Sequence, residues 1–370
     1  MKSAALGLVK ELFDHLSNCR VNQITTFTVL PDELYPYNES KFLHVNETAV
    51  DEIICSKSTY LNLFCEGRQF LNSESSKNGN YLATFCILSV TPEDRKVLLQ
   101  HENLVLRRLR GNSCNQWKAD KVSQAFFQIE LQAITLLLTC SVNRVNKSSS
   151  LWLYFRKLYV LAHELFPSII VNHSGLFLQS ASRHASNYYC WNTFRWIYDL
   201  QIQKTKDALL DTLWKFCFSH SMDSSSWWAL GHALLGSTDL SQLSIEDYSA
   251  LRAKLNLPKH DKSYAKLRLA SETTGWTCMQ KIVTFIDSAE VRHWPAFGCL
   301  ARLLPSLDLL SRNQLLEGWS SAIQKFEGEN FKIDERSITK AIYGSENDLL
   351  LQRSLETLQL KKKYLISTTS

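Results

Sequence analysis

The sequence predicts an all-α fold, a right-handed solenoid of antiparallel helical hairpins, and three observations carry that expectation. Glycine (12) and proline (7) are scarce in 370 residues of which 45% are hydrophobic, which favours long helices over a sheet with many tight turns. Ten tryptophans suit hairpins that stack through bulky side chains. Three tryptophan-centred segments recur at hairpin length: Trp152, Trp191 and Trp228 are 39 and 37 residues apart, inside the ~20–50-residue period of repeat architectures.

Residues 1–20 read as an amphipathic helix, with Leu8, Leu12 and Leu16 at i, i+4 spacing. Pro31, Pro36 and the polar run 72–80 give the following stretch a mixed, loop-rich character, so 1–90 reads as an N-terminal segment with a flexible connector. Thr91, Pro92, Glu93 and Asp94 read as a helix start, threonine capping and proline in the first helical position. Phe126, Ile129, Ala133, Leu136 and Leu137 mark a helix over 122–140 that is buried on one face. A polar linker, 141–150, leads to a helix through Trp152, Phe155, Tyr159, Ala162 and Phe166, closed by Pro167. The unit repeats twice, with polar turns at 182–187 and 219–226, and lapses after Gly236 into a polar insertion near 237–275. Helical stretches near 276–288 and 296–312 complete a repeat domain over 91–320. Leu351, Leu355 and Leu358 mark a closing helix in a C-terminal capping segment, 321–370. Trp152, Trp191, Trp196 and Trp228 read as packing residues.

Forty-one basic and 36 acidic residues leave a net charge of +5 spread along the chain. The clusters Arg107, Arg108, Arg110 and Lys361 to Lys363 read as solvated helix faces, since no basic stripe with interleaved aromatics accompanies them, and nucleic-acid binding is not expected. The ten cysteines are dispersed with no Cys-x-x-Cys pair, which suits reduced thiols. The first residues hold too short an apolar run for a signal peptide, and no stretch reaches the ~18 apolar residues of a membrane span. The expected location is the cytoplasm. His163, His173, His184, His220 and His232 match no metal-ligand spacing, so no metal or other cofactor is expected in this chain. No phosphate loop, dinucleotide fingerprint or Gly-x-Ser-x-Gly motif occurs, and the chain alone lacks the parts of an enzyme.

The run Asn187-Tyr188-Tyr189-Cys190-Trp191 followed by Trp196, Lys147 five residues before Trp152, and a looser run from Ser219 through Trp227 resemble the protein prenyltransferase alpha-subunit repeat. Within that family they resemble the divergent alpha-subunit-like member of a third type of geranylgeranyltransferase. Where the family has arginine, this chain carries Arg156 and Arg195 one residue later, and a one-residue shift turns a side chain by about 100° on a helix. The resemblance implies an alpha-type subunit that transfers geranylgeranyl to C-terminal cysteines of a prenylatable protein. Zn²⁺ and the isoprenoid diphosphate would then lie on a partner beta subunit. It also implies a diphosphate contact for Lys147, Tyr188 and Tyr189 beside it, and binding roles for Asn187, Arg156 and Arg195; Ser149 falls where that unit usually has tyrosine. A lysine ammonium with phenol and amide donors would stabilise charge growing on a leaving diphosphate. The alternative is a non-catalytic helical-repeat scaffold for a protein partner, tied to prenylated GTPases, trafficking or cell-wall organisation.

Overall fold

The computed structural model describes residues 6–20, 23–36, 40–46, 51–73, 80–110, 117–236, 238–257, 272–328 and 354–364. Among them the chain is mostly helical, with sixteen α-helices and one small sheet. The elements are α1 (Gly7–Ser17), β1 (Thr25–Leu30), β2 (Phe42–Asn46), β3 (Asp51–Ser56), α2 (Lys57–Leu71), α3 (Tyr81–Val90), α4 (Arg95–Leu109) and α5 (Lys121–Leu138). They continue with α6 (Asn143–Asn146), α7 (Ser149–Leu165), α8 (His173–Arg183), α9 (Tyr188–Leu200), α10 (Gln203–Ser219), α11 (Ser224–Leu235) and α12 (Thr238–Lys254). The last are α13 (Glu272–Ser288), α14 (Trp294–Leu303), α15 (Leu309–Gly328) and α16 (354–364). The chain divides into two compact units, Met1–Phe194 with Ile245–Lys262, and Arg195–Ser244 with Ser263–Ser370.

The sheet in the first unit corrects the all-α expectation. β3 is central, parallel to β1 and antiparallel to β2, with Ile53 opposite both Phe27 and His44. The strands are five or six residues long, and β1 (TTFTVL) and β3 (DEIICS) carry branched residues that suit a pleated surface. Pro31 and Pro36, expected in loops, lie between β1 and β2. Phe27, Phe42, Ile53 and Cys55 are buried. α2 leaves β3 directly, capped by Ser56, whose Oγ accepts from the Thr59 amide at 3.2 Å. It packs closely on α3 at Gly67, where a Cβ would stand 2.7 Å from the Ala83 carbonyl oxygen. Every residue of α3 from Ala83 to Val90 is buried, as expected of a helix that is apolar all round.

α4 begins three residues later than the Thr-Pro-Glu-Asp run suggests. Asp94 is its cap, accepting from the Val97 amide at 3.1 Å, while Thr91 ends α3 by donating its amide to the Ile87 carbonyl at 2.7 Å. An aspartate cap has the stronger acceptor, so it wins the competition.

The tryptophan period survives with one register change. Ser148, Asn187 and Asp223 each accept, through a side-chain oxygen, the amide three residues on: Leu151, Cys190 and Ser226 respectively. In each case the tryptophan four residues after the cap, Trp152, Trp191 or Trp227, is about 1% exposed. Trp228, expected to pack, is instead 52% exposed, with the Arg302 guanidinium 3.9 Å above its ring. Adjacent tryptophans on a helix face about 100° apart, so only one of them can enter the core.

In the second unit α11 packs on α10 and α14, with Trp227 against Phe285 at 5.8 Å. Gly236 ends α11 in the left-handed conformation (φ 56°), which glycine adopts at no steric cost. Asp287 of α13 ties down two later helices, accepting from Trp319 Nε1 at 2.9 Å and pairing with Lys361 at 2.7 Å. The expected insertion near 237–275 is helical over α12; residues 258–271 of it lie outside the described residues, as do 74–79 of the expected connector and 329–353 of the expected capping segment, Leu351 included. No described helix is long and apolar enough to cross a membrane.

Candidate ligand cleft

Glu130 is the only acid in the eighteen residues of α5, and it is fully buried, where an uncompensated carboxylate is costly. Three other helices answer it. Tyr81 of α3 donates its hydroxyl to Oε2 at 2.6 Å, Tyr154 of α7 donates to Oε1 at 2.9 Å, and Nε2 of His101 in α4 lies 3.2 Å from Oε1. The His101 Nδ1 meets Thr84 Oγ1 at 2.8 Å, and the ring stacks on Tyr81 at 5.0 Å. Desolvation works to raise the Glu130 pKa, but the attraction of His101 and the three hydrogen bonds outweigh it and hold the carboxyl below its usual range. Burial and the neighbouring carboxylate push both tyrosines well above theirs, so the phenols stay neutral donors.

Tyr154 also forms the floor of a cleft of about 380 Å³ between α4 and α7, within the ~300–1,000 Å³ of small-molecule sites. α4 contributes Arg95, Leu98, Leu99 and Glu102, one helix face at i, i+3, i+4 and i+7. α7 contributes Ser149, Ser150, Leu153, Tyr154 and Lys157. Leu99 and Leu153 are 59% and 48% exposed. The charges around it are mostly satisfied within the chain. Lys157 Nζ pairs with both oxygens of Glu102, at 2.8 and 2.6 Å. Glu93 accepts from the hydroxyls of Ser148 at 2.6 Å and Ser150 at 2.5 Å, and from the Ser150 amide at 3.3 Å. Burial works against the Glu93 charge, but these donors hold its pKa below the usual carboxylate range. Arg95, the first residue of α4, is exposed and has no hydrogen bond or ion pair among the described residues.

The residues singled out in the sequence lie elsewhere. Lys147 Nζ donates to the Ala185 carbonyl at 2.8 Å, bringing residue 147 to the turn that precedes α9. Tyr188 and Tyr189 are exposed and meet edge to face at 5.4 Å. Asn187 is buried: besides capping α9, its Nδ2 donates to Asn146 Oδ1 at 2.5 Å and Ser180 Oγ at 3.2 Å. Replacing Asn187 with alanine would strand the buried Asn146 oxygen and should cost about 1–3 kcal/mol, read as a lower midpoint in urea unfolding. Arg156 of α7 reaches α9, donating from Nη2 to the Asn192 carbonyl at 3.1 Å, and lies 3.5 Å from Asp247. Arg195 belongs to the second unit. The histidines are dispersed: His232 Nε2 lies 3.0 Å from Asp199, His163 Nδ1 is 3.1 Å from Tyr248, and His220 stacks on Phe216.

Sequence reasoning missed Glu130, His101 and the α4/α7 face. A lone acid inside the apolar stripe of α5 was the available signal, because such a residue needs partners from other helices.

Comparison with known proteins supplies the relationship. The chain matches models of the ECM9 N-terminal domain over residues 2–139, the ECM9 middle domain over 151–255 and the ECM9 C-terminal domain over 276–370. Protein ECM9 of Saccharomyces cerevisiae (strain ATCC 204508 / S288c) is 30% identical over 379 residues, spanning 98% of this chain and 96% of that protein. These matches overturn the resemblance to prenyltransferase alpha subunits. With it go geranylgeranyl transfer, the beta-subunit partner with its prenylatable substrate, and the links to prenylation; the scaffold alternative gains no specific support either. The resemblance misled because a capping residue with a tryptophan four positions on meets a local need of helical hairpins and carries little family information.

Proposed function

The chain belongs to the ECM9 family, and on that premise we propose that it is a ligand-binding protein whose α4/α7 cleft takes a small molecule with an apolar body and a single acidic group. The observation that carries this reading is Arg95, a cation without a partner among the described residues, at the edge of a cleft lined by Leu98, Leu99 and Leu153. The leucines would cover the apolar body, and the guanidinium would take the acid through charge-assisted hydrogen bonds. Such a bond contributes ~1.5–3 kcal/mol, about tenfold or more in affinity. Calorimetric titration with octanoic acid and with octanol tests it. The acid should bind at least tenfold more tightly at neutral pH, Arg95→Gln should erase that preference, and Leu153→Asp should abolish both. Equal binding of acid and alcohol, or binding of neither, would rule the reading out.

We also read α7, α9 and α11 as descendants of one repeated hairpin, a solenoid-like ancestry supported by the shared cap-to-tryptophan spacing. A reducing, cytoplasmic location is supported by the nine described cysteines, each of which is a free thiol.

A further inference from the structure

Away from the cleft, at the edge of the sheet, three potential metal ligands converge. Cys19 lies just past the end of α1, where its amide donates to the Leu16 carbonyl at 3.1 Å. His44 is in the middle of β2, and Asp51 is the first residue of β3. The antiparallel register sets Asn46 opposite Asp51 and His44 opposite Ile53, so alternation along the strands places His44, Asn46, Asp51 and Ile53 on one face. α1 packs on β2 and brings Cys19 to that face.

We propose that Cys19, His44 and Asp51 bind a divalent transition-metal ion, zinc by the chemistry of the donors. Cys19 Sγ is 3.6 Å from His44 Nε2, the same Nε2 is 3.6 Å from Asp51 Oδ1, and the three atoms all lie within 4.8 Å of one another. Donors held tetrahedrally by zinc, sulfur at ~2.3 Å and nitrogen or oxygen at ~2.0 Å, stand about 3.3–3.6 Å apart. The imidazole–carboxylate distance is too long for a hydrogen bond, which closes at ~2.7–3.2 Å. One nitrogen also faces both partners, whereas a proton relay through histidine uses its two nitrogens in turn. Sulfur, imidazole and carboxylate together form a borderline-soft set that suits zinc and does not suit calcium or magnesium.

The surroundings offer one competing contact, the Cys19 thiol donating to the His15 carbonyl at 3.3 Å, which deprotonation on metal binding would release. Asp51 is fully buried and Cys19 is 5% exposed, while the His44 side chain is 18% exposed, leaving a fourth position on the solvent side for water or another ligand. The Arg20 amide holds the other Asp51 oxygen, Oδ2, at 3.0 Å and so orients the carboxylate. The Arg20 guanidinium lies 3.2 Å from Oδ1, the oxygen turned toward His44, and also bonds to Asn46. Its side chain is 42% exposed. Arg20 is therefore a counter-ion for the buried carboxylate that metal binding would displace into solvent, and coordination by Cys19 would release its thiol proton to the buffer.

The test uses the full chain, stripped with a chelator and titrated with cobalt(II) and then zinc. The expected result is one equivalent of cobalt with a thiolate-to-cobalt charge-transfer band, displaced by zinc. Cys19→Ser should lose the band, His44→Ala should weaken binding more than tenfold, and Arg20→Met should tighten it several-fold. Absence of the band in the wild-type chain, its retention in Cys19→Ser, or weaker binding by Arg20→Met would overturn the site. If Cys19→Ser does not fold, alkylation of the wild-type chain decides. Zinc should slow modification of Cys19 at least tenfold and leave the exposed Cys65 unchanged; equal rates with and without zinc at Cys19 would refute it.

Discussion

Replacing Glu130 with alanine should lower the stability of the first unit by about 3 kcal/mol or more, since three polar groups lose their partner at about 1–3 kcal/mol each. The change strands His101 and leaves the buried hydroxyl of Tyr154 and that of Tyr81 without their acceptor. Glu130→Gln keeps the shape and an acceptor, and tests the charge. The folded carboxyl titrates below its usual range, so its contribution is complete above the unfolded value of ~4.3 and is lost as pH falls through the folded one. Wild-type stability should therefore decline with acid below about pH 4, and the glutamine variant should show a shallower decline. Glu93, Asp32, Asp120 and Asp308 also titrate below their usual ranges, so the difference between the two proteins isolates Glu130. Equally steep acid limbs in urea unfolding at graded pH would show that its charge is not stabilising.

Trp227→Ala should cost about 3–5 kcal/mol, as expected for deletion of a fully buried indole. Trp228→Ala should cost only about 0.5–1 kcal/mol, the scale of an exposed cation–π contact. The pair discriminates between two registers of the same sequence, since only the structural register puts the burden on Trp227. Denaturation midpoints of the two variants measured side by side settle it, and a larger loss from Trp228→Ala would contradict the packing of α11 on α10 and α14.

The helices were largely legible because their signals are local. The extent of α5 and the Phe166–Pro167 stop of α7 can be read within a few turns, and each appears where the sequence suggests it, although α5 is buried on every side from Ala133 to Leu138 and not on one face alone. The sheet was less legible: its parallel β1–β3 pair joins segments about 25 residues apart, and five- or six-residue strands carry too few alternations to stand out between two prolines. The third tryptophan was misassigned because two adjacent indoles satisfy the same spacing until the cap at Asp223 fixes the register. The sites were hardly legible. Arg95, Leu153 and Glu102 meet only when α4 and α7 pack, and Cys19, His44 and Asp51 meet only through the strand register. Neither set has a spacing that a linear pattern could single out. Lys147 and Asn187, singled out by the resemblance, are held by the Ala185 carbonyl and the Asn146 side chain, partners that no local pattern announces.

The partners of Glu130 have a bearing on how the unit assembles. They come from α3, α4 and α7, converging on α5 from positions between residues 81 and 154. A chain with three of these helices docked and one away would hold a desolvated carboxylate short of a donor, a state less favourable than either full assembly or full hydration. Partial assemblies should thereby be penalised, and hydrogen exchange is expected to show the four helices opening together and not helix by helix. A single acid in an apolar stripe thus acts as a checkpoint on completeness.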